Sequence, residues 1–416
     1  MKKSFLYASA LVMLLASCSN EDSLDAGVSS GQAGDGNVVK ELRLSLASGA
    51  GKTRATTPGS GTENNLDNAF VFIKQDPTAN ESTTSYNYKY TLVELTGKTT
   101  TVVKYVEPNS KVFVLANCAF WNASAAQDFL DNDVNAAGVT DQEKVFYEYV
   151  SPRIDKTHIY ERSSSSGNFM MSGTATVPAA NPNGATILAV NVKRDFAKLQ
   201  FKINQEGEGG NVRIKEVEEV TIRRAAQKVA PFALSGTAET TYALEYGYGD
   251  PKYLQDGLKS GVFAPQNDKV TVEGDDISKA SDYSFIYQGD KDVTPAAGYW
   301  ELKKGVYMLP NAANVAEKGT IIVVKAKIST KTTTDGVDSW TEVQGSKYYK
   351  ARFSAGTTAY ATDKNSIYTI TATIKGEGND NPAGPDGPDK EDTESDLNIK
   401  VEVQPWNLVI SNQTIE

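Results

Sequence analysis

Much of the chain alternates apolar and polar residues with a period of two. Residues 41–46 show the pattern clearly, with Leu42, Leu44 and Leu46 on one face, as is typical of a half-buried β-strand. Residues 69–73 form a continuous apolar run, as expected for a strand in the core of a β-sandwich. Segments of this kind recur, often about 8–12 residues apart with turn residues between them, which indicates β-sandwiches rather than βαβ units. The pattern therefore predicts an all-β protein.

Further strands are predicted on both sides of a boundary near Lys193. They cover residues 86–92, 102–106, 112–116, 187–192, 198–203, 212–223, 262–263, 270–272, 321–328, 348–353 and 367–374. Two stretches interrupt the alternation and predict short helices, residues 122–130 capped by Asn122 and residues 141–149 capped by Asp141.

Loose segments rich in Gly, Ser, Pro or Asp divide the chain. The expected organisation is a signal peptide (1–18), a propeptide with a removable first strand (19–54), an N-terminal sandwich (55–192), a C-terminal sandwich (193–376), a flexible linker (377–394) and C-terminal strands (395–416).

The C-terminal segment carries seven apolar residues at alternate positions on either side of Pro405. They are Leu397, Ile399, Val401, Val403, Trp406, Leu408 and Ile410. One interpretation is that this segment is the last strand of its own domain. The other is that it leaves the subunit and pairs with another copy. A structureless connection of about 19 residues is uncommon inside a compact domain, which favours the second.

The first residues are typical of an export signal. A short basic start is followed by an apolar stretch, residues 5–15, that is too short to span a bilayer as a helix. The stretch ends at Cys18 after small residues, which is the pattern of a bacterial lipoprotein signal, so we expect the Cys18 thiol to carry lipid. The alternative is an ordinary secretory signal with a chance cysteine.

A protease site is expected directly behind the first strand. Arg54 lies in a loop rich in Gly, Ser and Thr, where trypsin-like proteases cut, and Lys52 offers a second site. Cleavage would free Leu42, Leu44 and Leu46, and the open sheet left behind would recruit another strand. Because the chain carries a matching C-terminal segment, transfer from copy to copy would be head-to-tail and would build a filament.

Composition narrows the function. The chain has 42 basic and 52 acidic residues, a net charge of −10, one histidine and two cysteines. This balance argues against nucleic-acid binding, and the few His and Cys residues exclude multi-histidine, zinc-ribbon and iron–sulfur sites. His158 has no partner motif, and Cys118 ends an apolar strand as an inert residue. We predict no catalytic residue and no cofactor, and we assign no metal ligand, with a calcium site other than an EF-hand left open at residues 131–135.

Two alternatives to a repeating filament subunit stay open. One is a surface lipoprotein that binds glycans through a sandwich face, with a stacking platform formed by four tyrosines: Tyr242, Tyr246, Tyr248 and Tyr253. The other is a tip or anchor subunit of a filament, because a tip can dispense with one joining end and an anchor keeps its lipid.

Several short motifs together resemble the Bacteroidales fimbrillin family of major fimbrial subunits. Besides the lipoprotein signal they are residues 53–56, 70–73, 112–117, 170–173, 193–198, 365–368, 374–376 and 401–406, spread over nearly the whole chain. The resemblance implies two transthyretin-like Greek-key β-sandwich domains and export to the outer membrane as a lipoprotein. It also implies cleavage after Arg54 by a trypsin-like maturation protease, which makes Ala55 the new N-terminus.

The same resemblance implies how the protein assembles after cleavage. The cleaved subunit would polymerise head-to-tail by strand exchange, with residues 397–410 as the donor, into a fimbrium on the cell surface. Accessory tip and anchor subunits, adhesion and biofilm formation are further properties that the resemblance implies.

Overall fold

The structure of the chain is a computed structural model. It describes residues 38–48, 66–118, 121–148, 154–155, 170–205, 210–225, 228–229, 231–232, 244–249, 285–289, 298–302, 306–308, 310, 319–353, 362–381 and 397–405.

Most of the described residues lie in β-strands, so the predicted all-β class is confirmed. In chain order the strands are β1 (Val39–Ser48), β2 (Asn68–Gln75), β3 (Lys89–Thr96), β4 (Thr100–Val106), β5 (Lys111–Ala116), β6 (Ile154–Asp155), β7 (Met171–Thr176), β8 (Thr186–Arg194), β9 (Ala197–Gln205), β10 (Val212–Ala225), β11 (Lys228–Val229), β12 (Leu244–Gly249), β13 (Phe285–Gln288), β14 (Tyr299–Leu302), β15 (Val306–Met308), β16 (Ile321–Thr334), β17 (Val337–Glu342), β18 (Lys347–Arg352), β19 (Ser366–Ile374) and β20 (Leu397–Pro405). The helices are α1 (Ala123–Phe129) and α2 (Gln142–Glu148), with a π-helical segment, Leu130–Val134, between them.

Seven strands near the N-terminus form one sheet with the order β3-β2-β4-β1-β8-β7-β5, and β2 also pairs with β5. The pairing is sparse at two places. β2 and β4 share the single pair Gln75 and Val106, and β7 and β8 pair only at Met171 and Ser172. The sheet therefore consists of two layers joined at their edges, the β4–β1–β8 layer and the β3–β2–β5–β7 layer.

The interior between these two layers is apolar. Each strand contributes alternate side chains because successive residues of a strand point to opposite faces. The buried residues include Leu42, Leu44 and Leu46 from β1 and Leu188, Val190 and Val192 from β8, which pack with Val71, Ile73, Val112 and Val114 of the opposite layer. This packing is the reason for the alternation seen in the sequence.

The outer face of the β3–β2–β5–β7 layer is covered by the helices. Phe113 of β5 stacks on Phe146 of α2 with ring centroids 4.1 Å apart, and Phe72 of β2 contacts Phe129 of α1. Both predicted helices are confirmed at their N-termini, where a side-chain oxygen accepts a backbone N–H bond: Asn122 from Ala125 and Asp141 from Lys144.

The later strands form two further large sheets, and β11 pairs with β6 in a separate two-stranded sheet. One has the order β13-β14-β9-β19-β20, with β15 also on β9, and the other contains β12, β10, β16, β17 and β18. Their apolar side chains belong to one continuous core, with Phe201 and Ile370 from the first sheet and Val220 and Val324 from the second. This core also includes Phe113 and its aromatic neighbours, so the two halves of the chain are packed together.

Some expectations differ from the structure. The strand expected from residue 86 begins only at Lys89, which lies opposite Gln75, the last residue of β2. Tyr86 and Tyr88 stack on each other in the preceding loop, with ring centroids 5.6 Å apart. The π-helical segment after α1 was not predicted. Residues 262–263 and 270–272 lie outside the described residues. Within the described part of the chain, no helix is both long enough and apolar enough to cross a membrane.

Candidate assembly site

The first strand lies in the middle of its layer. β1 pairs antiparallel with β4 on one side, where Leu42 lies opposite Val103, and parallel with β8 on the other, where Leu44 lies opposite Leu188. Leu42, Leu44 and Leu46 are all buried, as expected from the sequence. Since β4 and β8 are held apart by β1, taking β1 out would leave two unpaired strand edges and an open apolar slot between them.

The outward face of β1 and its two neighbouring strands carries a short row of charged and apolar side chains. Arg43 lies between Val102 of β4 and Ile187 of β8, whose side chains are 54% and 59% exposed. Arg43 also forms an ion pair with Glu41, 3.1 Å between Nε and Oε1, on the same face. Because both charged groups face solvent, the inward leucines rather than the ion pair hold β1 in place.

The end of the slot where β1 begins is stabilised by a buried carboxylate. Asp76 accepts hydrogen bonds from the backbone N–H and hydroxyl of Thr78 and from the backbone N–H of Asn87. The Asn87 bond, followed by those from Thr78, lowers the pKa of Asp76 below its usual value. The backbone N–H of Asp76 donates to the carbonyl of Tyr105 on β4. The next residue, Val106, lies opposite Val39 of β1.

The loop behind β1 lies outside the described residues, which end at residue 48 and resume at residue 66. Arg54, Ala55 and Lys52 fall in this interval, and Cys18 falls in the undescribed N-terminal segment. The cleavage and lipidation assignments therefore stay predictions.

The described part of the C-terminal segment pairs with its own chain. β20 runs antiparallel to β19 from Leu397 opposite Ile374 to Pro405 opposite Ser366, and Val401 is partly buried against the core. This differs from the expectation of an extended tail, because the same alternation that suits an exchanged strand also suits the edge of its own sheet. Trp406, Leu408 and Ile410 lie outside the described residues.

The two strands differ in how many neighbours hold them. Among the described residues, β20 pairs with β19 alone and lies at the end of its sheet, whereas β1 pairs with two strands. A strand with one neighbour leaves half of its backbone groups without a ladder partner. A strand in the β1 position is therefore held by more hydrogen bonds per residue than a strand in the β20 position.

The linker begins with a segment docked on β18. Asn379 exchanges backbone hydrogen bonds with Tyr348, and the Tyr349 hydroxyl donates to the carbonyl of Gly376 at 3.2 Å. Gly378 has a positive φ of 67°, and a Cβ at this position would lie 2.7 Å from the Tyr349 ring. Only glycine fits this close approach without displacing the ring.

The predicted glycan platform is only partly described. Tyr246 and Tyr248 lie in β12 opposite Ile222 and Val220, whereas Tyr242 and Tyr253 lie outside the described residues, as does His158. Cys118 is buried, as predicted. A search of the described ranges finds no group of three or more His, Cys, Asp or Glu residues placed to hold a metal ion.

Which strands flank β1 could not be predicted from the sequence, although residues 102–106 and 187–192 were recognisable as strands. The structure, and not the sequence, therefore identifies Val103 and Leu188 as residues beside β1.

No protein-family model and no curated protein matches the sequence. Solved structures with a similar chain fold do exist. A candidate cell adhesion protein of Bacteroides eggerthii is 19% identical, with 91% of this chain and 98% of that chain covered and a TM-score of 0.49. A fimbrilin of Porphyromonas gingivalis is 13% identical, with 90% and 99% covered and a TM-score of 0.48.

The tip fimbrial protein Mfa3 of Porphyromonas gingivalis, truncated at its C-terminus, is a third similar structure. It is 9% identical, with 88% of this chain and 100% of that chain covered and a TM-score of 0.42. These three are fimbrial or candidate cell adhesion proteins.

Proposed function

We propose that the protein is a structural subunit of a cell-surface fimbria that polymerises head-to-tail by strand exchange. In this proposal Cys18 carries lipid that anchors the precursor in the outer membrane. A trypsin-like protease cuts after Arg54, β1 leaves, and residues 397–410 of the next copy fill the slot. The body of the subunit consists of two transthyretin-like Greek-key sandwiches, and tip and anchor subunits complete the fimbria.

The observation that carries the proposal is the central position of β1. A strand at the start of a chain can be removed by one cut, and this strand lies between β4 and β8 rather than at an edge. Its loss would expose the apolar interior that Leu42, Leu44 and Leu46 now cover. An exposed apolar surface flanked by two free strand edges is a binding site for a strand with the same alternation.

The C-terminal segment has that alternation. Leu397, Ile399, Val401 and Val403 repeat the period of the three leucines of β1. Seven apolar side chains at about 1.5–3 kcal/mol each would contribute roughly 10–20 kcal/mol before the cost of ordering the segment. Ordering costs on the order of 1–2 kcal/mol per residue, so the net gain is smaller but is supplemented by two hydrogen-bonded ladders.

Exchange requires β20 to leave β19, and the pairing pattern supports this step. At the sheet edge β20 has one neighbouring strand, whereas a donor in the slot would have two. A C-terminal segment that moves from the sheet edge of one copy to the slot of another therefore gains a second row of backbone hydrogen bonds. Cleavage of β1 is what makes the slot available, which prevents polymerisation before processing.

Trypsin treatment of the purified precursor tests the proposal. We expect heat-stable ladders on a denaturing gel after brief digestion, with Ala55 at the new N-terminus. A variant lacking residues 397–416 should be cut at the same place but stay monomeric. If the full-length chain also stays monomeric after cleavage, strand exchange is wrong.

Two matched variants identify the cut. Because trypsin cuts after lysine as well as arginine, ladder formation should be abolished only when Arg54→Ala and Lys52→Ala are combined. In Arg54→Ala alone the new N-terminus should move to Thr53, and in Lys52→Ala alone it should stay at Ala55. Sequencing the N-terminal residue of protein isolated from the cell surface gives the same answer without added protease.

A further inference from the structure

Three sequence motifs that strand exchange does not use meet at one point in the structure. Residues 170–173 lead into β7, residues 193–198 join β8 to β9, and residues 365–368 begin β19. The link between β8 and β9 is only Asp195 and Phe196, and it connects the N-terminal sheet to the sheet that contains β19 and β20. The backbone N–H of Asn365 donates to the carbonyl of Phe196 at 2.8 Å, which fastens β19 to this link.

A polar cluster lies at the same point, in which Asp195 is fully buried and the Lys364 side chain is 30% exposed. The Lys364 Nζ donates to three oxygens: Ser172 Oγ at 2.8 Å, the Pro231 carbonyl at 3.0 Å and Asp195 Oδ1 at 3.1 Å. Ser172 Oγ in turn donates to Asp195 Oδ1 at 2.5 Å. All three hydrogens of the ammonium group are thus used, and the ligands come from β7, from the β8–β9 link and from the segment after β11.

A second contact lies beside the first. Arg194, whose side chain is fully buried, donates from Nη1 to Asn365 Oδ1 at 3.2 Å, and its backbone N–H donates to the same oxygen at 3.3 Å. Asn365 has a positive φ of 58°, a conformation that asparagine tolerates better than most residues. The start of β19 is therefore held by two adjacent residues, Lys364 and Asn365.

Burying these charged groups costs free energy, so the cluster is a poor source of stability by itself. Asp195 is completely buried, and its Oδ2 has no hydrogen-bond partner among the residues that the structure describes. Burial raises the pKa of Asp195 even though Lys364 and Ser172 act in the opposite direction. Buried ion pairs contribute little net stability compared with apolar residues, but removing one partner is strongly destabilising because it leaves the other charge unpaired.

We propose that Lys364, Asp195 and Ser172 form a polar brace that positions β19, and with it β20, on the N-terminal sheet. The brace makes the β8–β9 link a rigid joint, so both halves of the chain open as one cooperative unit. It is a property of the single subunit and does not depend on polymerisation.

Amide hydrogen exchange of the full chain tests the brace. Lys364→Met removes the ammonium group and keeps much of the side-chain volume. We expect exchange in β9 and β19 to accelerate at least about tenfold relative to β1 and β4, because the two halves then open separately. Lys331→Met is the matched control, since Lys331 pairs with Asp338 on the exposed β16–β17 hairpin. This control should leave the exchange ratio, the rate in β9 and β19 divided by the rate in β1 and β4, unchanged.

Two further variants keep the outcome decisive. Ser172→Ala removes one hydroxyl and leaves the ion pair. It should therefore accelerate exchange in β9 and β19 relative to β1 and β4 by a smaller factor than Lys364→Met does. This variant decides the question if Lys364→Met does not fold. Lys364→Met combined with Asp195→Asn should change the ratio no more than Lys364→Met alone, because the residues act together. Equal ratios in Lys364→Met and Lys331→Met, or additive effects in the double variant, would overturn the brace.

Discussion

Leu44 of β1 lies opposite Leu188 of β8 in a parallel register, and both side chains are buried between the two layers of the N-terminal sheet. β8 follows β1 by about 140 residues in the chain, so the first strand is held by a segment far from it in sequence. This pairing makes β1 an integral part of the N-terminal sheet.

Truncating Leu44 should destabilise the protein. Leu44→Ala removes buried methyl groups and leaves a cavity, so we expect a loss of about 2–5 kcal/mol in the free energy of unfolding by urea. Ser45→Ala, on the outward face of the same strand, should change it by less than about 0.5 kcal/mol. Equal values for the two variants would mean that β1 contributes nothing to the core.

Asp76 should make the stability depend on pH. Because hydrogen bonds lower its pKa in the folded chain, its contribution is complete above the unfolded-state value of 3.8 and is lost as the pH falls through the lower folded-state value. Asp76→Asn places an NH₂ group against one of the N–H donors. We expect this variant to lose stability at pH 7 and to differ less from the wild type near pH 2, as measured by urea unfolding at both pH values.

The docked start of the linker should be sensitive to a single methyl group. Gly378→Ala puts a Cβ 2.7 Å from the ring of Tyr349, which is fully buried. Gly336 is a matched control, since its φ of 75° is similar but nothing lies within 4 Å of the added Cβ. We expect Gly378→Ala to cost roughly 1–3 kcal/mol more than Gly336→Ala in thermal unfolding. Equal costs would show that only the backbone conformation matters.

The corner between β7 and β8 should not tolerate a side chain at Gly173. A Cβ there would lie 2.3 Å from the backbone oxygen of Asn191, so β7 would have to move away from β8. We expect Gly173→Ala to lower the free energy of unfolding by about 1–3 kcal/mol or more. Thr174→Ala, at an exposed neighbouring position, serves as the control and should have little effect. A stable Gly173→Ala variant would contradict this close packing.

Local features of the fold could be predicted because short stretches of sequence specify them. The alternation of Leu42, Leu44 and Leu46 predicts a strand whatever lies beside it, since the period follows from backbone geometry. Asn122 predicts a helix start because its side-chain oxygen satisfies a backbone N–H three residues later. The π-helical segment after α1 has no comparable local signal.

Strand partners could not be predicted in the same way. The alternation of Leu397, Ile399, Val401 and Val403 fits the edge of its own sheet as well as a slot in another copy, and the structure pairs it with β19. The meeting of Ser172, Asp195 and Lys364, which are up to 192 residues apart, was also invisible in the sequence.

The amino-acid sequence by itself therefore determined the class of the fold and the positions of most strands, and it predicts that the first strand is removable. Only the tertiary structure decided that β1 lies between β4 and β8, that β20 lies on β19, and that three motifs form one buried cluster. The physical reason is that period and capping depend on neighbouring residues, whereas register and burial depend on which distant surfaces exclude water together.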